Sequence, residues 1–213
     1  MSARDHILGN IRARLARGAE GPEHADARLR SRPAGPLPER ATGSPAVLRQ
    51  RFIDMARNAA ADVLELDSEA EVPASVAALC REHGLALRVA VAPAVAGLDW
   101  NAAGLEAEAR AGRADDRICV SRALCGVAET GTLVLASGPD SPVTLNFLPD
   151  VHVVAVAGSA LVGSYEEAWG RLRERGAVPR SVNWITGPSR SADIEQTLQL
   201  GAHGPVRLVV ALI

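Results

Sequence analysis

The sequence predicts an α/β protein built on a mixed, mainly parallel sheet with helices on both faces. Three observations lead there. Apolar residues make up 47% of the 213 positions, enough to bury one core of ordinary domain size. From Val47 onward, helical and strand-like spacings alternate, the pattern of β-α-β units. Two late runs, Val151 to Ala157 and Val206 to Ile213, are apolar with almost no polar interruption, as strands buried on both faces are.

The elements follow in chain order. Ile7, Leu8, Ile11 and Leu15 recur at helical spacing among arginines, so residues 3 to 17 read as a short amphipathic helix suited to docking on its own domain or on a twin subunit. Its apolar face is small and lacks Trp or Phe, which argues against membrane-surface binding. Residues 18 to 46 are rich in Gly, Pro and charge and read as a linker. The expected organisation is therefore residues 1–46 as helix plus linker and 47–213 as the folded domain. Within it the spacing predicts a helix near 47–60, a strand at 62–66, a helix at 72–83 and a strand at 86–92. A less regular stretch through Trp100 and Gly104 follows, then strands at 117–121, 132–136 and 151–157. A helix at 165–175 closed by Gly176, a strand at 182–186, a helix at 191–200 and a terminal strand complete the order.

Composition excludes several chemistries. A net charge of −2 and 3% aromatic residues give neither the basic surface nor the stacking platforms of a nucleic-acid binder. All 23 basic side chains are arginine, which removes a P-loop lysine, a pyridoxal-phosphate Schiff base and a lysine aldolase, since each needs a titratable amine. His6, His24, His83, His152 and His203 show no HxxH or HExxH spacing. Cys80, Cys119 and Cys125 show no CxxC spacing and fall short of the thiolates a typical iron-sulfur cluster takes. They read as small buried hydrophobes of a reducing compartment. No GxGxxG follows a strand, so no dinucleotide fingerprint is present. Neither a metal nor a cofactor is expected in this chain. With no apolar run long enough for a secretion signal or a membrane span, the expected location is the cytoplasm.

Three segments carry candidate chemistry. The first is Asn183 to Glu195, with Gly187-Pro188-Ser189-Arg190-Ser191 at its centre. It reads as a strand running into a helix, placing strand carboxyl ends beside the unpaired N–H groups of a first helical turn, a natural anion site. Ser189 and Ser191 are placed to cap that helix or to donate to a ligand, and Arg190 to hold a carboxylate or phosphate bidentately, or else to pair with Asp193 or Glu195. His203, in the turn Gly201-Ala202-His203-Gly204-Pro205, bonds locally or faces the same site. The second segment, Gly126 to Leu133, holds Glu129 among small residues as a possible base, nucleophile or hydrogen-bond acceptor, with Thr130 and Thr132 satisfying a turn or a ligand. The third runs from Ser137 through Asn146-Phe147-Leu148-Pro149-Asp150-Val151-His152 and puts His152 at a strand mouth.

Ala128-Glu129-Thr130-Gly131-Thr132, Leu148 to His152, Gly187 to Glu195 and Gly201 to Pro205, in this order, resemble the LUD domain of the lactate-utilization protein C family over roughly Val47 to Ile213. Ser191 stands where that family often has threonine, which keeps the hydroxyl. The resemblance implies a three-layer fold akin to the sugar-phosphate isomerase and coenzyme A transferase group. It also implies a part in L-lactate oxidation to pyruvate alongside partners that carry iron-sulfur clusters. The function expected is a subunit of such a system that binds a small anion through Gly187, Ser189, Arg190, Ser191, Thr130, His152 and His203, with Glu129 as the candidate catalytic residue. The alternatives are a stand-alone transferase or isomerase acting on a phosphorylated or carboxylate substrate through Glu129, and a regulatory scaffold working through residues 1–46.

Overall fold

In the computed structural model of the protein the described residues are 3–14, 22–31, 35–192, 198–201 and 203–213. The chain forms two compact units, Met1–Pro36 and Leu37–Ile213. The first contains helices α1 (Ala3–Arg14) and α2 (Pro22–Ser31). The expected first helix is described from Ala3 to Arg14, residues 15–17 lying outside the described part. Pro22–Ser31 is helical where a linker reads from composition, because Pro22 presets the first-turn φ and Ala, Glu, Arg and Leu favour the helix after it.

The second unit opens with a 3₁₀ turn, Glu39–Ala41, and α3 (Pro45–Asn58). Ser44 caps α3 by accepting from the Val47 N–H, with Pro45 at the first helical position. Strand β1 (Asp62–Glu65), α4 (Val72–Glu82), β2 (Arg88–Val91), β3 (Glu106–Ala109), β4 (Ile118–Arg122), β5 (Cys125–Val127) and β6 (Thr132–Ala136) follow. After them come β7 (Val151–Val156), β8 (Leu161–Val162), α5 (Tyr165–Glu174), β9 (Val182–Ile185), β10 (Arg190–Ala192), β11 (Leu198–Leu200) and β12 (Arg207–Leu212).

The main sheet has six strands in the order β1-β12-β7-β4-β2-β3, every pair parallel. Its interior strands β7 and β12 are the two long apolar runs, matched Val151 to Arg207 through Val156 to Leu212. Alternate residues serve opposite faces. Val153, Val209 and Ala211 pack with Val72, Val76 and Cys80 of α4. Val154, Val156, Leu208, Val210 and Leu212 pack with Phe52, Ile53 and Ala56 of α3. Edge strand β3, not expected from the sequence, reads Glu-Ala-Glu-Ala, charged and short as an exposed edge requires.

The sequence reading placed 132–136 and 182–186 in that same sheet. They form instead a separate four-stranded sheet, β8-β5-β6-β9, in which β6 runs antiparallel to both β5 and β9. Leu133 and Leu135 on its inner side meet α3 and the main sheet, while Cys125, Val127, Val134 and Ala136 on its outer side meet Ala168 and Leu172 of α5. Helix α5 is fixed at its start by Ser164, which accepts from the Glu167 N–H, while the Glu167 carboxylate accepts from the Gly163 N–H.

Of the helix expected at 191–200, residues 193–197 lie outside the described residues, and the described ends are extended. Arg190–Ala192 and Leu198–Leu200 pair as an antiparallel hairpin, Arg190 opposite Leu200. The Ser189 N–H donates to the Pro205 carbonyl and the Gly201 N–H to the Ser189 carbonyl, each at 2.9 Å. These tertiary bonds extend the backbone and override local helix signals, as long-range pairing commonly does. Among the described residues no helix is long and apolar enough to cross a membrane.

Candidate functional site

Two of the three candidate segments, the first and the third, meet with the His203 turn around one cavity of about 290 Å³. Asn146, Phe147 and His152 come from the approach to β7, Trp184 to Arg190 from β9 and its exit, and His203 to Pro205 with Leu208 from the approach to β12. His152 and Leu208 are the second residues of β7 and β12 and lie in register, so the cavity opens at the amino edge of the main sheet. The carboxyl-edge, helix-amino-end site expected from the sequence is thereby corrected: the cavity lies at the amino edge, and Ser191, where the helix was expected to begin, lies in strand β10.

The loop carrying Gly187 is shaped by its neighbours. Gly187 has φ +72°, and a Cβ there would stand 2.0 Å from the Ala59 carbonyl oxygen, so only glycine allows the loop to lie on the end of α3. Arg190 completes that contact. Its Nη2 donates to the Ala59 carbonyl at 2.7 Å, satisfying a carbonyl at a helix C-terminus with a cation, as the helix dipole favours. The guanidinium has five N–H groups, and Arg190 remains exposed at the cavity rim.

His152 forms the buried end. It is 0% exposed and its Nε2 lies 2.6 Å from Ser121 Oγ on the adjacent strand β4. Burial pushes its pKa down to about 3, so near neutral pH the ring is uncharged and serves as a hydrogen-bonding group. Asn146 is 2% exposed. Phe147, Trp184, Ile185, Pro188, Pro205 and Leu208 supply apolar walls. Trp184 is in turn packed between Tyr165 and Trp169 of α5, ring centroids 5.2 and 5.1 Å apart.

Thr130 does not line the cavity, but its hydroxyl is 2.7 Å from that of Thr132, which is 2.7 Å from Thr186 on the cavity wall. Tyr165 joins them at 3.0 and 2.9 Å. This hydroxyl network fixes where the Thr186 side chain points. Glu129 is not among the lining residues. It is 8% exposed and accepts from Arg40 Nη2 at 2.7 Å and Nε at 3.1 Å, which ties the segment before α3 to the turn after β5. Ser191 lies in β10, its side chain outside the described part. His203 is exposed on the rim.

Ser121, Asn146, Trp184 and Thr186 were not singled out as site residues by sequence reasoning. Asn146 and Trp184 stand inside the quoted segments, whereas Ser121 lies 31 positions from His152 with no local signal. The three thiols are buried, and burial pushes Cys119 up to about 12 and Cys125 up to about 11, leaving them protonated and unreactive. Among the described residues no three His, Cys, Asp or Glu side chains come together to hold a metal ion.

Comparison with known proteins agrees with this architecture. The LUD domain family model matches residues 49–213. An uncharacterized protein of Neisseria meningitidis serogroup B is 44% identical over 95 residues, 44% of this chain and 40% of that protein. Lactate utilization protein C of Anoxybacillus flavithermus is 42% identical over 87 residues, covering 41% of this chain and 39% of its own length. The Bacillus subtilis protein of that name is 40% identical over 91 residues, 41% and 38% of the two chains. The matches thus span about two fifths of these relatives. The crystal structure of a DUF162 family protein from Deinococcus radiodurans superposes with a TM-score of 0.61 at 22% identity, over 80% of this chain and 99% of that one. The chain belongs to the LUD domain family.

Proposed function

We propose that this protein is a component of an L-lactate utilization system and binds a small carboxylate in the cavity at the amino edge of the main sheet. One observation carries the ligand class: Arg190 stands on the rim, and no Asp or Glu is among the described residues that line the cavity. A guanidinium, which carries five N–H groups, beside a site whose described lining residues include no carboxylate favours an anion. The pathway reading rests on family membership and on relatives named for lactate utilization. In this reading electrons travel through iron-sulfur partner proteins, and this chain contributes ligand binding and assembly.

The test is thermal unfolding of the full chain with L-lactate, pyruvate and inorganic phosphate, with Arg190→Ala as control. A carboxylate-dependent rise in Tm that the substitution abolishes supports the reading. No shift with either organic acid, or an equal shift in the variant, defeats it.

A further inference from the structure

A second cavity, of about 370 Å³, lies at the opposite edge of the main sheet. Ala94 follows β2 and Arg122 ends β4, and both line it. It therefore opens at strand carboxyl ends, where open α/β sheets bind ligands. Arg175, just beyond α5, and the turn 138–141 after β6 border it from the side of the small sheet. Ala123, Leu124 and Ala136 give it a small apolar wall. Its volume falls in the range of small-molecule sites.

The turn fixes Asp140 at this edge. Gly138 and Ser141 exchange backbone hydrogen bonds at 3.3 and 3.1 Å, and the Asp140 carbonyl accepts from the Ala94 N–H at 3.2 Å. Strands β2 and β4 are neighbours, with the Ala92 N–H donating to the Val120 carbonyl at 2.8 Å. The Asp140 backbone is thus fastened beside the exit of β2, one strand spacing of about 4.8 Å from the exit of β4 that carries Arg122.

Arg122, Arg175 and Asp140 all line the cavity, yet they do not neutralise one another. Arg122 is paired with Glu69, which is not a lining residue. The side chains of Arg175 and Asp140 have no hydrogen-bond or ion-pair partner among the described residues. A simple anion drawn to Arg175 meets the charge of Asp140, and a simple cation drawn to Asp140 meets two guanidiniums. A molecule carrying both charges satisfies each and is selected against both.

We infer that this second cavity binds a small zwitterion bearing an ammonium and a carboxylate, as an amino acid or a short peptide does, the carboxylate at Arg175 and the ammonium at Asp140. The small apolar wall takes an aliphatic side chain. This site is separate from the carboxylate cavity at the amino edge and does not depend on that reading.

The experiment is isothermal titration of the full chain at pH 7 and low ionic strength, where exposed charges are least screened, with L-alanine and with L-alanyl-L-alanine. The two probes share the chemistry and differ in the spacing of their charges, so the tighter one gives the distance the site spans. Arg175→Gln is expected to weaken that probe at least about fivefold, and Asp140→Asn likewise. The sign of the second change is decisive, because in a site for a simple anion Asp140→Asn removes a like charge and tightens binding. Unchanged or tighter binding in Asp140→Asn overturns the inference, as does unchanged binding in Arg175→Gln or no binding of either probe to the unmodified chain. Both side chains are exposed, so both variants are expected to fold, and an unchanged Tm checks it. Titration of the unmodified chain alone can overturn the inference if a variant fails that check.

Discussion

Ser121 Oγ and His152 Nε2 lie 2.6 Å apart across the adjacent parallel strands β4 and β7, both side chains essentially sealed from solvent. The hydroxyl is the one protein group that engages the ring among the described hydrogen bonds. Replacing Ser121 with Ala orphans a second ring nitrogen and is expected to cost about 1–3 kcal/mol. Urea denaturation measures it; a loss below a few tenths of a kcal/mol would mean the ring is satisfied in some other way.

The same ring makes stability depend on pH in a definite direction. Its folded pKa, about 3, lies below the unfolded value near 6.5. Between these values the unfolded chain binds a proton that the folded chain does not, so stability falls as pH drops through this window and is independent of this group above it. The contribution approaches about 1.4 kcal/mol per pH unit in mid-window. Comparing unfolding free energies of the wild type and His152→Leu from pH 4.5 to 7.5 isolates it, and parallel pH profiles would refute the assignment.

Helices α3 and α4 end in the same way with different residues. In α4 the Gly84 N–H reaches Arg81 and the Leu85 N–H reaches Cys80; in α3 the Ala60 N–H reaches Arg57 and the Ala61 N–H reaches Ala56. The turning residue has φ +62° at Gly84 and φ +63° at Ala60. This left-handed position suits glycine, and Ala60 is exposed. Ala60→Gly is expected to raise stability by about 0.5–1 kcal/mol, read as an increase in the chemical denaturation midpoint at unchanged slope.

Glu129 is engaged by Arg40 at 2.7 Å, away from the residues lining the cavity. The Arg40 side chain is 66% exposed, so solvent screens the pair and its worth is no more than about 1 kcal/mol. Glu129→Gln is expected to lower stability within that bound and leave carboxylate affinity unchanged. A change in affinity beyond about threefold, measured by titration, would bring Glu129 back into the site.

Much of this was legible in the residues themselves. Continuous apolar runs identified β7 and β12 because a strand buried on both faces has no side on which to place charge. Helices α3, α4 and α5 showed in their spacing, and Gly187, Ser189, Arg190, His152 and His203 were singled out before their convergence on one cavity was visible. The short strands β5 and β8 were not legible, since two or three residues cannot display a period. Residues 190–192 and 198–200 were misread because Ser, Asp and Glu followed by Leu spacing mimic a helix start, while these two stretches pair with each other as strands and Ser189, just before them, is tied to Pro205.

The sequence by itself determined an α/β fold with buried parallel strands, an arginine-only set of basic side chains and several residues that meet at one cavity, because these depend on local spacing and side-chain chemistry. Only the tertiary structure decided that the cavity opens at the amino edge of the sheet, that Arg190 rests on the end of α3, and that Glu129 belongs to a separate ion pair. Those outcomes depend on contacts such as Arg190 with Ala59, 131 positions apart, and Glu129 with Arg40, 89 positions apart. Contacts at such separations form only when the packed layers bring distant segments together, so no local window of sequence contains them.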